Sequence, residues 1–278
     1  MRLLGIAGTL SCLLSGIVHA QGAAPRSESE AVAESINHVF ATELGSGIYD
    51  LGGRTLQVYR LTWNKYLGND DGAKTRVRFT LPGTFGFFDF KPIDVIEEGP
   101  PEQVDSFSVK PGLELDIPLQ DGWRLIPYAS AGFSIASRNV EGWLYGYGIR
   151  ADRHKDIGRW LSLYRAEFGY ASVDYRDGTP NDSFVRIRQA MDFTTGVGWS
   201  TRGHELELGL YGIVDVIIDP PTVPVADGDR EPLQLEAGFT LATRPRYKIW
   251  KFDAPRLGFG YRYAGSISGW RFVIGVPF

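Results

Sequence analysis

Cysteine is all but missing from this chain: Cys12 is the only one, and it sits in an N-terminal stretch expected to be removed. The remainder can then form no disulfide and no thiolate metal centre, which suits a protein that crosses an oxidising compartment unfolded. Beyond residue 20 no apolar run reaches 18 residues, so no membrane-spanning helix is predicted. A basic surplus is also lacking, with 29 Lys and Arg against 33 Asp and Glu. Nucleic acid is therefore not an expected partner. Histidine (4) and methionine (2) are scarce, whereas Gly 34, Phe 16, Tyr 13 and Trp 7 are abundant for a chain of 278 residues.

The first twenty residues read as a secretory signal. Arg2 is their only charge, an apolar run from Leu3 to Val18 follows, and Val18-His19-Ala20 places small residues where a signal peptidase reads them. Residues 21–44 begin polar and then carry Val32, Ile36, Val39, Phe40 and Leu44 at three- and four-residue spacing. This spacing predicts a short amphipathic helix over residues 27–44, either at the rim of the following domain or inside its mouth.

From Gly45 the period changes to two. Phe107, Val109, Leu113, Leu115, Ile117 and Leu119 alternate with Ser108, Lys110, Gly112, Glu114, Asp116 and Pro118. Side chains of a strand point alternately to opposite faces, so one face is apolar and the other charged or minimal. Gln120-Asp121-Gly122 then forms a tight turn, and similar runs follow near residues 123–134, 142–150, 164–170, 185–199, 205–216, 233–241 and 256–263. Weaker strands are expected at 48–51, 56–63 and 76–81. With the final run this gives about 12 strands, and an even count keeps both ends of the sheet on one side. Glycine with aromatics in short alternating runs is the composition of a closed antiparallel transmembrane β-barrel over residues 45–278.

The last run is the clearest. Trp270, Phe272, Ile274, Val276 and the terminal Phe278 stand two apart, which puts them on one face of a strand. They resemble the C-terminal signature by which outer-membrane proteins are recognised during assembly. Counting back from them places Asp121-Gly122, Arg202-Gly203 and residues 152–158 at one end, the periplasmic one, with the long connections 86–103 and 219–230 at the other. Trp123, Trp160 and Trp199 then stand beside the periplasmic turns as an interfacial girdle.

A signal, a short helix, about 12 strands and a terminal Phe278 together resemble an autotransporter β-domain, and within that group the solitary autotransporter-like barrels that lack a passenger. Gly47-Ile48-Tyr49-Asp50-Leu51-Gly52 and Val58-Tyr59-Arg60-Leu61 add to the likeness. The resemblance implies a Gram-negative outer-membrane location with outer-membrane lipids around it. It also implies biogenesis through periplasmic chaperones and the barrel-assembly machinery, and a structural or porin-like transport role for small ions or solutes. No cofactor and no catalytic or metal-ligating residue is expected.

An outer-membrane hydrolase, a protease or lipid-modifying enzyme, is the alternative. It needs a nucleophile or activated water with a base. The histidines left after the signal are His38, on the expected helix, and His154 and His204, at periplasmic turns; no Gly-x-Ser-x-Gly elbow is present. The chemistry-bearing residues are instead the charges that alternation turns inward. The basic ones are Arg76, Arg78, Lys110, Arg124, Arg150, Arg165, Arg186, Arg188, Arg256, Arg262 and Arg271. The acidic ones are Glu114, Asp116, Glu167, Asp192, Glu205, Glu207, Asp215 and Glu236. Such a set either fills the lumen as an ion-pair network or, having more bases than acids, biases a polar pore toward anions.

Overall fold

The computed structural model describes residues 45–51, 54–68, 74–88, 106–136, 141–176, 181–201, 203–220, 232–249, 252–265 and 267–278. All belong to the second of two units, Val32–Phe278. The expected signal and amphipathic helix lie outside the described residues.

The alternating runs form strands. In chain order they are β1 (Gly47–Leu51), β2 (Arg54–Leu67), β3 (Arg76–Phe88), β4 (Ser106–Val109), β5 (Gly112–Pro118), β6 (Trp123–Ala136), β7 (Glu141–Ile157) and β8 (Trp160–Tyr175). Then follow β9 (Asp182–Thr201), β10 (His204–Ile218), β11 (Leu233–Arg244), β12 (Lys248–Ile249), β13 (Phe252–Asp253), β14 (Leu257–Ala264) and β15 (Ile267–Ile274). Neighbours pair antiparallel, and β1 closes the sheet: Gly47 stands opposite Val58 of β2 on one side and Arg271 of β15 on the other. Closure removes every free sheet edge along the paired segments.

The closed sheet has thirteen strands. Because β4 and β5 share both neighbours, β3 and β6, they are two halves of one stave, and the barrel has twelve. The break falls at Lys110-Pro111, where proline has no N–H to give the ladder. Bonds from Lys110 N–H to Pro82 O (3.2 Å) and from Ala131 N–H to Pro111 O (3.0 Å) carry the sheet across it.

The sheet starts and finishes at the same end of the barrel, here called the terminal end. The β5–β6, β7–β8 and β9–β10 turns lie there too. Asp121 (φ 56°) and Gly122 (φ 76°) are both left-handed, the geometry that matches the twist of a two-residue hairpin. Two details depart from the sequence reading. Residues 152–158 are mostly strand, since β7 runs to Ile157 and the chain reverses at Gly158-Arg159. The connection 245–256, also at the terminal end, is long and carries the small β12–β13 hairpin.

The barrel is inverted in polarity relative to a water-soluble fold. Leu61, Trp63, Leu113, Tyr147, Phe168, Leu235, Tyr263, Trp270 and Ile274 stand exposed on the outside, while Asp116, Asp192, Asp215 and Glu236 are buried inside. At the extremes Trp270 is 60% exposed and Asp215 1%. Outer aromatics meet across strands, as in Tyr147–Tyr170 (5.0 Å between centroids) and Tyr261–Trp270 (5.1 Å). On the inner face tyrosines lie flat over glycines of neighbouring strands. A Cβ on Gly148 or Gly169 would fall 2.6 or 2.5 Å from the Tyr128 hydroxyl, so only glycine leaves that ring its place.

Candidate functional site

The inward charges form the chemical content of the molecule. Each of the ten arginines expected to face inward does so, and each meets a carboxylate. Asp116 receives Arg76 (3.0 Å) and Arg124 (2.6 Å). Glu114 joins Arg78 and Arg150, the latter at 2.9 Å. Arg186 bonds Glu167 at 2.9 Å, and the Tyr128 hydroxyl donates to the same carboxylate at 2.9 Å.

Toward the other side of the wall, Arg188 grips Asp215 with two parallel bonds of 2.7 and 2.8 Å. Arg256 does the same to Asp192 at 2.6 and 2.9 Å. Arg262 and Arg271 each reach Glu236 at 2.8 Å, and the Tyr211 hydroxyl donates to it at 2.9 Å. Such two-pronged pairs match the planar guanidinium to the planar carboxylate, and they hold geometry as well as charge.

The remaining members of the sequence-based set are placed less centrally. Glu207, buried, meets Arg244 (2.8 Å) and Arg246 (3.6 Å) near the terminal end. Glu205 lies against Gly196, next to a shift in the β9–β10 register. The Lys110 ammonium comes near Ser130 over Gly146.

One carboxylate was missed by the sequence reading. Asp152 is 5% exposed and takes two bonds of 2.7 Å from Arg165. The signal was available: Gly142, Gly146, Gly148 and Arg150 share its phase, and assigning it to a turn hid it.

The inner face encloses a cavity of about 940 Å³. Among the described residues nine basic side chains line it, Arg60, Lys110 and Arg150 among them, and two acidic ones, Glu114 and Glu167. Three of the carboxylates that pair with these arginines, Asp152, Asp215 and Glu236, are buried and outside the cavity's described lining. Ala171 and Phe184 are part of its lining. These two belong to a buried apolar cluster with Leu56, Val58, Leu144, Val173, Tyr175 and Ile217, contributed by strands from both sides of the seam at β1. That cluster occupies the lumen near the end opposite the chain's return, the far end.

The C-terminal residues correct a second expectation. Trp270, Phe272, Ile274 and Val276 do face outward. The chain then bends at Gly275 (φ 90°), the Pro277 carbonyl accepts a 2.6 Å bond from Arg271, and Phe278 turns inward. Its ring packs with Ala190, Tyr211, Ile213 and Val273, and the Arg165 guanidinium lies 5.2 Å from its centroid. Alternation breaks because a left-handed glycine ends the strand before Phe278 can follow its phase.

The two described histidines after the signal, His154 and His204, are not part of the ion pairs given above; His38 lies outside the described residues. His154 lies in the terminal-end part of β7 and is exposed. His204 stacks on Tyr247 at 3.9 Å, with Nδ1 2.7 Å from the Pro245 carbonyl oxygen.

No family model matches the chain, and no curated protein does. Among solved structures it is similar to the β domain of the Bordetella autotransporter BrkA, with TM-score 0.45 and 10% identity over 82% of this chain and 93% of that one.

Proposed function

We propose that this chain is a non-catalytic integral outer-membrane β-barrel, translocator-like in fold, whose lumen is a blind arginine-lined chamber. The observation that carries the reading is the inverted polarity. A belt of Leu, Ile, Phe, Tyr and Trp faces outward while carboxylates and guanidinium groups are buried inward. Water would penalise that arrangement on both faces, by exposing apolar area and by desolvating charge. Lipid rewards the outer face, and it requires the closed ladder because unpaired backbone groups cost several kcal/mol each in hydrocarbon. The chamber is blind because the apolar cluster at Ala171 and Phe184 bounds it.

The reading is tested by expressing the full chain in a Gram-negative host and fractionating the membranes. Recovery in the outer membrane, with faster migration on gels before heating than after, is expected of a closed barrel. Recovery as a soluble protein whose migration ignores heating would refute it.

A further inference from the structure

On β7 the apolar belt of the outer face ends in charge. The outward positions run Trp143, Tyr145, Tyr147, Ile149 and Ala151, and the next is Arg153. The stretch from Trp143 to Ala151 is about the 9–11 residues that a tilted strand needs to cross hydrocarbon, so Arg153 stands at headgroup level. In the ladder it lies between Trp123 of β6 and Tyr164 of β8. Its guanidinium is over the Trp123 ring, 5.3 Å from the centroid, and Trp123 meets Tyr164 edge to face at 6.1 Å. Such rings and the stems of long cations settle together at the boundary between lipid and water.

Each of the ten inward arginines meets a carboxylate, but Arg153 meets none among the described residues. Neither does Lys155, the next outward position of β7, nor Arg159 at the β7–β8 turn, whose guanidinium lies 5.8 Å from the Trp160 centroid. Lys155 and Arg159 are exposed. The acids that alternate with them on β7, Asp152 and Asp156, have the inward phase, and Asp152 is held by Arg165. One row further into the belt, Ala151 faces Ala166 between the bulkier pairs Ile149–Phe168 and Arg153–Tyr164. That small pair leaves a recess on the outer face directly beside the arginine.

We infer that this patch binds an anionic phospholipid in the leaflet at the terminal end, an inference that rests on the barrel reading above. The lipid phosphate takes the Arg153 guanidinium and the Lys155 ammonium, and an acyl chain follows the Ala151–Ala166 recess into the belt. Guanidinium groups match phosphate oxygens in pairs. Unpaired bases at a membrane surface attract lipids of net negative charge, whereas a zwitterionic headgroup brings an ammonium of its own. A free anion would gain nothing from the recess or from the aromatic pair beside it.

The test uses the full chain refolded in dodecyl maltoside, with heat-dependent migration checked on the same sample so that a failed barrel is told apart from a failed site. The sample is titrated with phosphatidylglycerol or phosphatidylcholine, and bound lipid is counted by native mass spectrometry. The first phosphatidylglycerol is expected to bind about tenfold more tightly than phosphatidylcholine. Arg153→Gln should remove that preference by weakening phosphatidylglycerol about tenfold, the size expected from losing one charge-assisted contact. Lys155→Gln should weaken it about threefold, as for an exposed charge, which keeps the test alive if the arginine variant does not fold. Arg244→Gln removes an equal charge at the same end of the barrel but outside the patch, and should leave the preference unchanged. Equal binding of the two lipids, unchanged affinity in folded Arg153→Gln, or an equal loss in Arg244→Gln would each overturn the inference.

Discussion

Two regions of one lumen solve the same packing problem by opposite chemistry. Near the far end, Leu56, Val58, Leu144, Val173, Tyr175, Phe184 and Ile217 fill the space with apolar side chains. Toward the terminal end β7, β8 and β9 turn Asp152, Glu167 and Asp192 into it, joined by Glu114 of β5 and by their arginines. The first region gains from removal of apolar area and from close contact, and it degrades gradually when atoms are deleted. The second gains little net energy, because desolvating the charges offsets most of their attraction, yet it fails abruptly when one partner is removed. What the ionic region provides instead is fixed geometry and a cavity that stays polar.

That contrast can be broken at named positions. The largest effect is expected for Arg256→Leu, which strands Asp192, 3% exposed, without its two-pronged partner. A loss of about 3–5 kcal/mol is expected in urea unfolding of the micelle-bound barrel, with much of it restored in the double variant Arg256→Leu/Asp192→Leu. If the double variant were as unstable as the single one, the pair would not be a self-contained unit. Next comes Leu144→Ala in the apolar cluster, expected to cost about 2–4 kcal/mol by loss of burial and by the cavity left behind. A change well below this would mean the cluster is loosely packed.

Tyr128→Phe removes one bond to Glu167 while keeping the ring over its two glycines. A cost of about 1.5–3 kcal/mol is expected, as for a hydrogen bond to a charged group. The smallest effect is expected for Arg244→Ala. That arginine is 67% exposed although it pairs with buried Glu207, and solvent screening leaves such pairs about 0–1 kcal/mol. A larger loss there would extend the buried network to the terminal rim.

Most of the wall was legible because a strand with one apolar and one polar face writes its phase into the sequence. Leu113, Leu115, Glu114 and Asp116 are unambiguous, and so are Phe239, Tyr261 and their glycine neighbours. The far-end cluster was not legible for the complementary reason. At Val216-Ile217-Ile218 both faces are apolar, so the period carries no contrast, and the ladder register and burial show that Ile217 points inward with Asp215. Phe278 eluded the pattern because a backbone bend at Gly275 outweighs periodicity. Asp152 eluded it because Asp next to basic residues also suits a turn. The sequence-based inward set lacked one residue of each sign, the acid Asp152 and the base Arg60, which lines the cavity.

The blind chamber is tested most directly by planar-bilayer recording of the refolded full chain beside the double variant Leu144→Ala/Phe184→Ala. No sustained conductance is expected from the native chain, and a current, anion-preferring in a salt gradient, is expected once the apolar cluster is thinned. A stable ohmic channel from the native chain would contradict it.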